Sequence, residues 1–396
     1  MRGRFTTLVV LAASAMLVTA DAHAPTAKDP GGFSVHEWGT FTSIAGADGG
    51  AVGWMPLAGA DDLPCFVDRI QFGPKWSMWG TVRMETPVLY FYAPDDLTVN
   101  VNVRFRQGVI TEWFPQARVS PSRITGIPAE QSIQLRDTVA SASWTNVKIR
   151  PRAAAQFPRE SAPSHYYPAR ETDAAPVEVG TERERFLFYR GVGEFDPPMR
   201  ATLAADGRIA IKSPIGAPLG DIVMFDNRGG TVRYHSRRVT GSETTVDSRG
   251  LEARPLQALK QHLERVLIGS GLHPREAQAM IATWADTWFE EGTRLFYLVP
   301  QKAIDHVLPL EIAPRPATVV RVFVGRMELM TRATLDDVKS SLMRNDQRAL
   351  AKYGRFVEPF MNRVIAESLP ADRLILQPAR DMYYRSWRPP FSNCPR

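Results

Sequence analysis

The hydrophobic period changes near residue 250, and this change constrains the fold more than any single motif does. From residue 33 to 250 the apolar residues come in short runs split by turn signals, the pattern of an antiparallel sandwich or barrel. Runs at 34–43, 82–92, 98–105, 109–114, 143–149 and 185–190 read as strands. Arg106-Gln107-Gly108, Asp206-Gly207 and Asn227-Arg228-Gly229-Gly230 read as hairpin turns. From residue 251 the spacing becomes helical. Leu256, Leu259, Leu263, Val266 and Leu267 share one face, and Gly269-Ser270-Gly271 ends that helix. Pro274 then sits at a first helical position, with Glu276 in the first turn. Ala277, Met280, Ile281, Trp284 and Trp288 make the apolar stripe of this second helix, so the short link predicts an antiparallel helical hairpin. Strand pattern returns at 295–299 and 319–329. Thr334 with Asp337 reads as a capping box opening another helix, and Phe356, Phe360 and Val364 continue the helical spacing.

These patterns predict an α+β protein: an N-terminal antiparallel β-sandwich over 33–250 and an α+β helical domain over 251–369, with a helical hairpin, further strands and a long helix. The proline- and aromatic-rich tail, 370–396, reads as a wrapping extension that ends near Cys394. Between residues 151 and 177 five prolines punctuate a polar stretch, and a long irregular loop of this kind is typically functional or disordered.

The N-terminus carries an address. Arg2 and Arg4 precede an uncharged, mostly apolar stretch from residue 5 to 18, and small residues follow. This is the form of a secretory signal peptide, 1–22, cleaved after Ala22. No later run of 18 apolar residues exists, so no transmembrane segment is expected after cleavage. The two cysteines, Cys65 and Cys394, then predict a disulfide in an oxidising compartment, periplasmic or extracellular.

Composition removes one partner class. The formal charge is +6, but the 48 basic residues are scattered and interleaved with acids and aromatics. A polyanion footprint is a cluster or stripe, so nucleic acid is not an expected partner. Motif searches remove others. His36-Glu37 begins like H-E-x-x-H, but position 40 is Thr, and no two of the seven histidines stand at a metal-ligand spacing. No phosphate-binding loop and no nucleophile elbow is present. Neither a metal nor a cofactor is expected.

Four places hold chemistry-bearing side chains. In the first strand, Phe33, Val35, Glu37 and Phe41 alternate with His36, Trp38, Thr40 and Thr42, so either face buries something polar. A buried Glu37 needs a cationic partner, for which Arg83 or Arg104 is the expected source. In the run 82–92, Arg83 and Glu85 fall on the face of Leu89 and Phe91, and Pro87 signals an edge or a bulge. The irregular loop gathers His165, Tyr166, Tyr167 and Arg170, groups suited to glycan or peptide contact. Glu290 and Glu291 stand as a carboxylate pair at the end of the second helix, with Arg294 or Arg326 as partners.

The segments 35–41 (Val-His-Glu-Trp-Gly-Thr-Phe), 82–92, 288–300 and 320–329 together resemble a group of exported bacterial proteins that has no established activity. The resemblance spans most of the chain beyond the signal. It implies an exported bacterial origin and carries over no catalytic residue.

The expected function is an exported or periplasmic binding or interaction protein of the cell envelope, with a glycan or a protein as ligand and His165, Tyr166, Tyr167 and Arg170 as its contacts. The alternatives are a hydrolase with a site built from His36, Glu85, His165 and Glu290, and a structural envelope component.

Overall fold

The computed structural model describes residues 32–57, 63–72, 78–124, 135–204, 206–386 and residue 394; the signal-peptide reading lies outside them. The fold is α+β and is organised by one large sheet. Its strands run, edge to edge, Glu252–Ala253, Thr231–Val239, Gly220–Arg228, Gly292–Leu298, Thr318–Leu329, Ser34–Ala45, Val82–Tyr92, Leu187–Gly193, Gly108–Phe114 and Asp68–Arg69. Two strands from the part expected as a separate helical domain, Gly292–Leu298 and Thr318–Leu329, therefore lie inside the sheet. Within this sheet the pairing departs from the expected antiparallel pattern at one place: Thr318–Leu329 runs parallel to Ser34–Ala45.

One face of the large sheet packs against a smaller sheet. That sheet holds Leu97–Arg106, Val139–Ile149, Val177–Val179, Glu182–Glu184 and, from the C-terminal half, Leu310–Ala313. Phe33, Val35, Phe41, Leu89 and Phe91 meet Val101, Phe105, Trp144 and Ile149 in this core. The opposite face is covered by the helical hairpin Leu256–Gly269 and Pro274–Thr283 and by the irregular loop. Trp38, Val88, Tyr90 and Val322 there meet Leu263, Met280, Trp284 and Tyr166. A strand buried on both faces loses its hydrophobic–polar alternation, and residues 35 to 45 are buried without a break.

Three turn readings divide two to one. Asp206-Gly207 joins the paired strands Arg200–Leu203 and Arg208–Lys212. Gly229 and Gly230, at φ 57° and 81°, join Gly220–Arg228 to Thr231–Val239, as a two-residue hairpin with positive φ at both positions requires. The third turn is no hairpin. Gln107, at φ 60°, passes the chain from the smaller sheet into the large one, and its backbone N–H bonds Thr138 instead of a strand partner.

The second helix ends at Thr283, so Trp284 to Glu291 form turns and Glu290 and Glu291 do not extend a helix. The next long helix, Arg332–Met343, is capped by Thr331, whose hydroxyl accepts from the Thr334 N–H. The cap thus lies one turn before the expected one, since two threonines three residues apart offer the same signal. The tail is also corrected. Pro370–Ser386 is a helix, and its Leu376 and Tyr383 pack with Phe360, Phe356 and Val338 in a third core. Beyond it, Cys394 is bonded to Cys65, with Cα atoms 5.1 Å apart. No helix among the described residues is long and apolar enough to cross a membrane.

Candidate functional site

A cleft of about 850 Å³ opens where the large sheet, the three-stranded sheet containing Arg200–Leu203, and the C-terminal helices meet. Its polar floor is fixed by strand register. Asp226 stands opposite Thr293 on one neighbouring strand and opposite Arg233 on the other. Arg228, two residues along, projects to the same face of the sheet as Asp226. The Thr293 hydroxyl donates to Asp226 at 2.6 Å, and Arg228 Nε lies 3.2 Å from the same carboxylate. Arg228 Nη2 also reaches the hydroxyls of Thr293, Thr331 and Thr334 at 3.0, 2.8 and 3.2 Å. The cap of the first C-terminal helix is thereby tied to the sheet.

Small and aliphatic residues form the walls, among them Ala201, Ala204, Leu329, Met330 and Ala333. Charged residues sit around them, and each arginine is held by a carboxylate. Arg249 is held by Asp247 at 3.0 Å, Arg332 by Asp336 at 3.1 Å, and Arg363 by Glu367. The lining carries Arg228, Arg249, Arg332 and Arg363 against Asp206, Asp226 and Glu367, and no described lining residue is aromatic. A volume of this size suits a small ligand, and such junctions between layers are where ligand sites form. Oriented guanidinium forks beside carboxylates and hydroxyls offer many directional donors and acceptors, a chemistry for polyhydroxylated or anionic groups.

The residues singled out from sequence occupy three other places. Glu85 and Glu290 share one neighbourhood through arginine. Glu85 pairs with Arg355, lies 3.5 Å from Arg83 Nε and accepts from the Thr42 hydroxyl at 2.8 Å. Glu290 pairs with Arg326 at 2.6 Å, one of its two expected partners. Arg326 also lies over the Phe356 ring at 4.8 Å and reaches Glu328, which pairs with Arg294 at 3.0 Å. Burial would raise the Glu85 carboxyl, but Arg355, Arg83, Arg326 and Arg190 outweigh it and hold the group down at about 2. Burial pushes the Arg294 guanidinium down to about 10 and the Glu328 carboxyl up. Both carboxylates named from sequence are thus taken up in ion pairs.

Glu85 does not share a face with Leu89 and Phe91. Gly39 stands opposite Thr86 and Pro87 together, because the register steps from Trp38↔Val88 to Thr40↔Glu85. Thr86 adopts φ 46°. One extra residue reverses the alternation, so Met84 joins Leu89 in the inter-sheet core while Glu85 turns to the other side. The proline marks a bulge inside the sheet, not an edge.

The loop residues are used internally. Tyr166 donates to Glu184 at 3.0 Å, and Arg170 grips the same carboxylate through Nε and Nη2 at 2.9 and 2.6 Å. The Tyr167 hydroxyl accepts from the Glu160 N–H at 2.9 Å. Tyr166, Tyr167 and Arg170 are buried, so their polar ends face the protein and not a ligand. His165 alone of this set keeps partial exposure; it lies 3.1 Å from Asp286 and stacks on Trp284.

His36 faces the helical hairpin. Its Nδ1 lies 2.8 Å from Glu276 Oε2, and its ring stacks on His273 with centroids 4.5 Å apart. His273 and Glu276 stood in the sequence only as part of a helix start. The sign available there was a histidine and a glutamate three residues apart across a helix N-terminus. The cleft residues Asp226 and Arg228 carried a weaker sign, a charged pair with i, i+2 spacing just before a hairpin turn. Neither protein-family models nor curated protein sequences match the chain.

Proposed function

We propose that the protein is an exported binding protein of the cell envelope and that its ligand is a polyhydroxylated or acidic glycan fragment seated in the 850 Å³ cleft. One observation carries this reading: the four arginines lining the cleft are each held by a carboxylate. A guanidinium paired on one edge with a carboxylate keeps its remaining N–H groups for the hydroxyl and carboxylate groups of a ligand. Specificity here comes from hydrogen bonds, since no described lining residue offers a stacking platform. The Cys65–Cys394 bond supports an oxidising compartment, where disulfides persist.

The test is a calorimetric screen of the purified protein against neutral and acidic oligosaccharides and peptidoglycan fragments, run beside Ala333→Trp. Ala333 is an exposed helix residue in the cleft wall, so the bulky ring fills the cleft without entering a core. Saturable binding that falls at least tenfold in Ala333→Trp supports the reading. Binding equal in the two proteins, or none to any fragment, overturns it.

A further inference from the structure

Among the described residues, and apart from the cleft, one cluster joins two imidazoles to a buried carboxylate. His36 comes from the first central strand, on the side that also carries Trp38, and is 5% exposed. His273 and Glu276 come from the start of the helix Pro274–Thr283, 240 residues later in the chain. Glu276 is completely buried, and three groups converge on it. Its Oε2 accepts the His273 backbone N–H at 2.7 Å and lies 2.8 Å from His36 Nδ1, while its Oε1 accepts the Tyr92 hydroxyl at 2.8 Å. The Tyr92 ring packs edge-on to His273, with centroids 4.7 Å apart, and tilted against His36. His273 is exposed, so the cluster opens to solvent on that side.

We infer that His36, His273 and Glu276 bind a single divalent first-row transition-metal ion, with Tyr92 holding the carboxylate from behind. One ligand atom from each of the three lies within 4.8 Å of the others. A tetrahedral ion with bonds of about 2.0–2.1 Å places its ligand atoms roughly 3.3 Å apart, so a small turn of the exposed His273 ring completes the set. Two imidazoles and one carboxylate suit zinc, cobalt, nickel or copper, whereas magnesium and calcium take oxygen sets. The Tyr92 hydrogen bond to the second carboxylate oxygen is the kind of outer contact that orients a metal ligand. With three protein ligands, the fourth position belongs to solvent or to an incoming group.

The experiment uses the untagged protein stripped with chelator, titrated with ZnCl₂ by calorimetry and with CoCl₂ by visible absorption. The variants are His273→Asn, which keeps a helix-capping side chain while removing the imidazole, and Glu276→Gln. Circular dichroism establishes that each is folded before titration. The expected result is one equivalent of zinc bound, a tetrahedral cobalt band, and at least a tenfold loss of affinity in His273→Asn. Because His273 is exposed, this variant remains informative even where Glu276→Gln fails to fold. No saturable binding at one equivalent, or His273→Asn binding as tightly as the unaltered protein, overturns the inference.

Discussion

Glu37 and Arg321 stand directly opposite each other in the parallel pairing at the centre of the large sheet, and the guanidinium Nε lies 2.5 Å from the carboxylate. The Tyr189 hydroxyl donates to the other carboxylate oxygen at 2.5 Å, and Arg321 also reaches Asp305 and the Leu308 carbonyl. Glu37 is fully buried beneath the smaller sheet. A charge in such a place is tolerated only with a complete set of partners. Arg321→Met removes the cation and strands the carboxylate, so it should destabilise by about 3–5 kcal/mol. The double change Glu37→Met/Arg321→Met should be less damaging than Arg321→Met alone, because no uncompensated charge remains. Urea unfolding of the set measures both quantities; a double variant worse than the single one contradicts the argument.

Glu85 makes the arginine network sensitive to strong acid. Its folded value is about 2, against an ordinary 4.5. A carboxylate depressed in the folded state contributes stability that is complete above 4.5 and is lost as pH falls towards 2. The shift corresponds to about 3 kcal/mol. Glu85→Gln should therefore lose stability at pH 7, and the gap to the unaltered protein should close at pH 2. A gap independent of pH counts against the assignment.

Glu358 behaves in the opposite sense. Burial raises its carboxyl to about 7, with Asn362 and Arg380 only partly offsetting it. An acid raised in the folded state costs nothing below 4.5, and its penalty grows as pH rises from 4.5 to 7. Glu358→Gln should thus gain stability at pH 8, by about 1–3 kcal/mol, and little at pH 4. Thermal unfolding at the two pH values reads this directly.

Cys65 and Cys394 are 329 residues apart, so their bond closes almost the whole described chain into a loop. The chain-entropy model puts its stabilisation near an upper figure of about 5 kcal/mol. Thiol titration of the denatured protein should find no free thiol before reduction and two after it. Reduction should lower the melting temperature, and Cys394→Ser should reproduce that drop without reductant.

Local features were legible in the sequence. Alternation in 34–43 sorted Glu37 from His36 correctly, and Pro274 and Gly271 marked the helical hairpin. What was hidden depended on long-range pairing. Arg83 and Arg104 were the expected partners of Glu37, yet Arg321 takes that place because a strand from the far end of the chain supplies the parallel neighbour. Pro87 signalled an edge or a bulge, but which of the two it is, and the reversal of faces that turns Glu85 away from Leu89, follow only from the register. The helical tail was obscured by Pro370 and Pro378, although Leu376 and Tyr383, seven residues apart, keep one face buried. The spacing of His273 and Glu276 at a helix start was the one local sign of that cluster, and nothing local joined them to His36, since the helix start and the strand meet only by tertiary packing.

The parallel pairing also sets the order of assembly. A chain that emerges N-terminus first presents Ser34–Ala45 early, but the strand that covers its other edge begins at Thr318. Pairings of such separation are slow to form, because a long loop must close before any contact rewards it. Until then a central strand, buried from residue 35 to 45 in the folded protein, has an open, apolar edge, which is the kind of segment that associates wrongly with other chains. The central sheet is therefore completed late, and a protein truncated before residue 318 should collect as aggregate rather than as a smaller folded unit.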